Sequence, residues 1–124
     1  MTASVPAGEQ LVAELYTRSV SQSLSFYLQL GFELVREERD FAELRWEDRL
    51  LFLDQHPDAA PPFSAQFGNI RVLVPDVDAY WARAQQLGLT VLRPIGDRYY
   101  GLRDFTIAGP DGLGLRFASN LSRT

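Results

Sequence analysis

The sequence predicts an α+β fold built from two tandem βαβββ modules, and three observations carry that prediction. The first is an internal repeat: a shift of 57 residues lays Leu15 on Val72, Thr17 on Val74, Val20 on Val77, Leu30 on Leu87, Gly31 on Gly88 and Leu34 on Val91. The second is that each copy carries the same punctuation, a short β-rich run, a helix-capping residue, a helical apolar pattern and then three further β runs. The third is the proline-rich stretch from His56 to Pro62, which separates the copies. Late in the repeat the shift grows to 63, where Glu47-Asp48-Arg49 meets Pro110-Asp111-Gly112. Six extra residues therefore stand in the second copy, around Arg93–Tyr100.

The elements follow in order. Leu11–Thr17 reads as a strand with alternating apolar positions. Ser19 then caps a helix and forms a capping box with Gln22, while Val20, Leu24, Tyr27 and Leu28 have helical spacing and Gly31 ends the helix in the left-handed conformation. Strands are expected at Phe32–Glu37, Phe41–Trp46 and Leu50–Gln55. The second copy repeats this with strand Phe67–Val74, cap Asp76, helix positions Val77, Tyr80, Trp81, Ala84 and Leu87, and strands Thr90–Ile95, Leu102–Ala108 and Leu113–Ala118. The chain is thus read as one domain, residues 1–124, with a first module over 9–55, a connector over 56–66 and a second module over 67–118. Two helices cover one face of a curved mixed sheet, and the other face is left as a cleft for a ligand or a dimer contact.

Composition narrows the chemistry. The 124 residues contain no Cys and one His, which excludes disulfides, thiolate nucleophiles and finger-type zinc sites and leaves only oxygen donors for a metal. All twelve basic residues are Arg, so a Schiff-base lysine is excluded too. The net charge of −4 argues against a nucleic-acid surface. It is unevenly spread, −6 over residues 1–62 and +2 over 63–124. No apolar run reaches membrane-spanning length and the first residues lack a basic and apolar leader pattern, so the expected compartment is the cytoplasm.

No nucleophile–base pair or glycine-rich phosphate loop can be assembled, and no catalytic residue is assigned. His56 reads as a solvated loop residue, and the helical aromatics Phe26, Tyr27, Tyr80 and Trp81 read as core. Phe41, Trp46, Tyr99 and Tyr100 are different. They stand beside acids and arginines at strand edges or in the inserted segment, where aromatic planes next to carboxylates can seat a flat cation; sealing a dimer interface is the other reading. Arg103 and Arg116 can pair with acids or hold an anionic ligand.

Two segments, Ser23-Leu24-Ser25-Phe26-Tyr27-Leu28-Gln29-Leu30-Gly31-Phe32 and Gly109-Pro110-Asp111-Gly112-Leu113-Gly114-Leu115-Arg116-Phe117, resemble motifs of the vicinal oxygen chelate superfamily, which includes glyoxalases, bleomycin-resistance proteins and dioxygenases. The resemblance covers nearly the whole chain and implies four metal-ligand positions, which by motif spacing fall on Val12, Leu53, Asn69 and Arg116. None supplies an imidazole or carboxylate, so no metal and no other cofactor is expected. Asp40-Phe41-Ala42 with Asp48-Arg49-Leu50-Leu51-Phe52, and Tyr99-Tyr100-Gly101-Leu102-Arg103-Asp104-Phe105, are similar to segments of the bleomycin-resistance type. That type implies a homodimer that sequesters a planar, cationic drug, with Phe41 and Tyr100 in the stacking roles; Tyr99 and Tyr100 stand where the type has Pro and Trp. The expected function is metal-independent binding of a small molecule. The competing readings are a glyoxalase-like lyase, isomerase or dioxygenase-related enzyme with an atypical site, and a cleft that serves assembly alone.

Overall fold

The computed structural model describes residues 5–58 and 68–121. Contacts divide the chain into two compact units, residues 1–61 and 62–124. The sequence reading of Phe67 and of most of the connector falls outside the described residues.

In the first unit a single 3-10 turn at Ala7–Glu9 precedes β1 (Ala13–Thr17), α1 (Val20–Gln29), β2 (Glu33–Glu38), β3 (Phe41–Trp46) and β4 (Arg49–Gln55). The strands form one mixed sheet in the order β1-β4-β3-β2, with β1 parallel to β4 and the rest antiparallel. The second unit repeats the plan as β5 (Asn69–Leu73), α2 (Val77–Gln86), β6 (Val91–Asp97), β7 (Leu102–Ala108) and β8 (Gly114–Asn120), ordered β5-β8-β7-β6. Two βαβββ modules, each with its own four-stranded sheet, are therefore present. The parallel pairing arises because the helix crosses over and returns the chain beside its own first strand.

Each helix lies against the two central strands of its sheet. In the first unit Val20, Leu24, Tyr27 and Leu30 meet Phe32, Ala42, Leu44, Leu51 and Leu53, all buried. In the second, Tyr80 stacks on Phe117 with centroids 4.6 Å apart, and Trp81 meets Phe105 edge-on at 5.1 Å. These helical aromatics pack on the sheet, as their spacing indicates, and each stays partly exposed. A fully buried ring contributes about 1.5–3 kcal/mol through removal from water, and these half-buried rings contribute a part of that.

The helix starts show where sequence reading succeeds and where it does not. Ser19 caps α1, its Oγ accepting the N–H of Gln22 at 3.3 Å. Asp76 occupies the same place before α2 but makes no capping bond with its side chain. The first N–H of α2, on Val77, is instead donated to Ser119 Oγ at 2.8 Å, and that hydroxyl donates to the Val74 carbonyl at 2.7 Å. In the first unit Val20 N–H is donated to Gln55 Oε1 at 3.0 Å. The last strand of each module thus fastens the start of its helix.

Gln55 and Ser119 lie 64 positions apart, one more than the shift of 63 read from the turns. The extra residue is in the β7–β8 hairpin, where the paired Ile107 and Leu115 are eight positions apart against seven for Leu44 and Leu51 in the β3–β4 hairpin. The other insertion falls where expected: β6 runs on to Asp97 and turns through Arg98–Gly101, with register shifts along the β6–β7 pairing.

Candidate functional site

Strand alternation decides which side chains face away from the helices. On β7 and β8, Phe105, Ile107, Leu115 and Phe117 face α2, so Asp104, Thr106 and Arg116 face the other way. Thr106 pairs with Arg93 on β6 and with Arg116 on β8, and Arg116 pairs with Arg71 on β5. A single row, Arg93, Thr106, Arg116 and Arg71, crosses the sheet. Above it lies an open pocket of about 670 Å³ lined by Asn69, Leu92, Arg93, Tyr99, Tyr100, Thr106 and Arg116. That volume suits a drug-sized ligand. The lengthened β6–β7 turn places both tyrosines at its rim, Tyr99 wholly exposed.

Beneath the rim is an ion cluster. Asp104 is fully buried, and its carboxylate accepts from Arg98 Nε at 2.7 Å, Tyr100 Oη at 2.8 Å, and Arg116 Nε and Nη2 at 3.0 and 2.8 Å. Burial alone pushes the carboxyl pKa up, but the bonds from Arg98, Tyr100 and Arg116 and the charge of Arg116 outweigh it, and the pKa is held below its ordinary value. Arg116 also donates to Tyr100 Oη at 3.3 Å and sits 5.5 Å from that ring's centroid. The cluster fixes the ring of Tyr100, the guanidinium of Arg116 and the turn that carries Tyr99.

Of the six residues singled out from the sequence, Tyr99, Tyr100 and Arg116 come together in this pocket. Arg103 does not: its neighbours in sequence put it on the α2 side, where it binds Asp78 and Asp97, each at 3.0 Å. Nor does Trp46, which shares the α1 side of β3 with Ala42 and Leu44 and packs on Phe32 at 5.0 Å. Phe41 is on the face opposite α1 and lines a separate pocket of about 600 Å³ with Glu38, Arg39, Asp40 and Asp54. Its ring touches Phe52, and Arg36 stands 4.9 Å from its centroid. His56 stands just past β4 in a loop with its side chain 45% exposed, and it also has partners that the sequence did not show: its ring stacks on Tyr16 at 4.0 Å and its Nε2 lies 3.1 Å from Asp54 Oδ2, because β4 delivers it beside β1.

The residues missed from the sequence are Asp104 and Arg98, together with Arg93 and Arg71. Asp104 had a signal, since alternation in both Leu102–Ala108 and Leu113–Ala118 puts it on the face of Arg116.

The four positions tied to metal binding by resemblance need one correction. Leu53 is fully buried under α1, paired with Ala42, so the equivalent outward position on β4 is Phe52. Val12, Phe52, Asn69 and Arg116 still offer no carboxylate or imidazole, and Arg116 brings a cation bound to Asp104. Among the described residues no group of three or more His, Asp or Glu could hold a metal ion. This donor set does not fit a divalent metal.

Comparison with known proteins agrees with the fold and the motifs. Residues 10–117 match the profile of the Glyoxalase/Bleomycin resistance protein/Dioxygenase superfamily, and the chain belongs to that superfamily. Among solved structures it resembles a glyoxalase/bleomycin resistance protein/dioxygenase from Nocardioides, with 21% identity over 99% of this chain and 89% of that one and a TM-score of 0.76. It resembles a bleomycin-binding protein complexed with bleomycin, with 22% identity over 90% and 98% of the two chains and a TM-score of 0.68. A lactoylglutathione lyase from Agrobacterium tumefaciens shares 17% identity over 92% and 95%, with a TM-score of 0.72. No curated protein matches significantly. No helix among the described residues is long and apolar enough to cross a membrane.

Proposed function

We propose that this protein binds and sequesters a small aromatic molecule without a metal, acting as a cytoplasmic homodimer in the manner of a drug-resistance protein. The observation that carries the reading is the pocket of the second module, where Tyr99, Tyr100 and Leu92 offer apolar and aromatic surface beside hydrogen-bonding groups held rigid by the Asp104 cluster. Each ring stacked on a planar ligand adds about 0.5–1.5 kcal/mol beyond burial. Binding rather than turnover is favoured by the side chains themselves: the buried carboxylate is saturated by donors, and the four positions matched to metal ligands, Val12, Phe52, Asn69 and Arg116, carry no imidazole or carboxylate. The first module's pocket, with Glu38, Asp40 and Asp54 around Phe41, supports a planar cation as one ligand class.

The test is native mass spectrometry for subunit number and metal content, followed by titration with planar cationic drugs and neutral aromatic metabolites. A metal-free dimer that binds one of them more tightly than millimolar is the expected result. A monomer with no such binding would sink the proposal, and a stoichiometric divalent ion with turnover of a hemithioacetal would put the lyase reading in its place.

A further inference from the structure

We infer that the pocket of the second module takes an aromatic carboxylate, a planar one- or two-ring acid, rather than a cation. The inference rests on the small-molecule-binding reading above and names the ligand class for that one pocket. Three guanidinium groups, Arg93, Arg116 and Arg71, stand in the single row that crosses β6, β7, β8 and β5, separated only by Thr106. Like charges placed opposite one another on adjacent strands repel, so such a row is costly unless an anion completes it. On the outward face of β7 and β8 the counter-charge among the described residues is one carboxylate, Asp104, and it is already spent. Asp104 receives four hydrogen bonds, from Arg98, Tyr100 and Arg116, and lies buried where it cannot meet a ligand. Arg93 and Arg71 make no hydrogen bond or ion pair among the described residues, and Arg116 commits Nε and Nη2 but not Nη1. No acid lines the pocket.

Arg93 and Arg116 line the pocket, Arg71 stands beside Arg116 at its edge in the row, and the other lining groups select what the anion is attached to. Tyr99, fully exposed, and the exposed Leu92 give a ring a flat apolar surface, while the Asn69 amide and Thr106 hydroxyl supply neutral donors beside the arginines. A guanidinium fork matches the two oxygens of a carboxylate in plane, which an aromatic acid presents in line with its ring. The contrast with the first module is sharp, since the pocket around Phe41 is lined by three acids and one Arg.

The experiment uses the full chain and three probes, 2-naphthoate, 2-naphthamide and the cation proflavine, titrated by fluorescence against wild type, Arg93→Gln and Arg71→Gln. Both arginines are exposed, so these variants keep the fold. The expected result is tightest binding of 2-naphthoate, about tenfold weaker in Arg93→Gln and measurably weaker in Arg71→Gln, with 2-naphthamide unaffected by either change. Equal affinity for the acid and its amide, or no change in the variants, would overturn the inference. Binding of proflavine alone would also overturn it and leave the small-molecule reading standing. Failure of all three probes would remove both.

Discussion

Replacing Asp104 by Asn tests the cluster that shapes the pocket. The carboxylate offers two oxygens to four donors, one facing Arg98 and the other facing Tyr100 and Arg116. An amide of the same size accepts at one end only. With its carbonyl toward Arg116 its NH₂ abuts the Arg98 Nε, and with its carbonyl toward Arg98 it abuts three donors. Breaking one partner of a buried ion cluster costs about 3–5 kcal/mol. The two guanidinium side chains are 16% and 22% exposed, so water offsets part of the loss and the lower end, about 3 kcal/mol, is expected. For a chain of this length that lowers Tm by roughly 10 °C. The measurement is urea denaturation followed by tryptophan fluorescence, with Asp104→Asn/Arg116→Gln as the companion variant. The companion should lose less than the two single changes together, because it removes both members of one pair. The same carboxylate sets a pH signature. Its pKa is lower folded than unfolded, so its contribution is present above its ordinary value of 3.8 and fades as pH falls through the depressed folded value. In Asp104→Asn that acid limb should flatten. A loss under 1 kcal/mol, or an unchanged acid limb, would refute the view that Asp104 holds this end of the module together.

Two further predictions separate residues that look alike in sequence. Ser119→Ala removes the acceptor of the first α2 N–H and should cost about 1–2 kcal/mol in chemical denaturation, whereas Asp76→Ala should cost under about 0.5 kcal/mol because its carboxylate caps nothing; the reverse order would show that Asp76 is the true cap. Gly31 and Gly88 both have positive φ, 109° and 66°, but a Cβ at Gly31 meets the Trp46 ring at 3.3 Å while one at Gly88 meets nothing within 4 Å. Gly88→Ala should therefore cost only the backbone strain of about 1–2 kcal/mol, and Gly31→Ala more, read from the same melts; equal losses would mean that Trp46 yields freely.

Much of this architecture was legible because it rests on short-range physics. Strand alternation, the Ser19 cap, the helical spacing of Tyr27 and Trp81 and the glycines that end both helices are local signals, and each landed within a residue or two of its observed place. What could not be read depends on distant partners. Asp76 looks like a cap but its side chain makes no capping bond, and the start of α2 is held instead through the Val77 N–H by Ser119, 43 positions from Asp76. Leu53 was placed outward because one extra residue in the second β-turn is invisible until β4 and β8 are matched by the helices they fasten. His56 next to a proline gives no hint of Tyr16 across the sheet. Arg116 was visible as a charge on an outward position, yet its neutralisation by Asp104 and the row it forms with Arg93 and Arg71 appear only once the register of four strands is known.

The last strand of each module does two jobs on alternate residues. Leu53 and Gln55, or Phe117 and Ser119, hold the helix from one side, while Phe52 and Asp54, or Arg116, present chemistry on the other. Because successive side chains of a strand point apart, the two tasks draw on different codons of the same seven-residue segment. Substitutions on the outward set leave the helix anchor intact, whereas substitutions on the inward set lower stability. A scaffold arranged this way can vary one face of each sheet at little risk to folding, and it carries a phenylalanine and an arginine at equivalent places in its own two halves, Phe52 and Arg116.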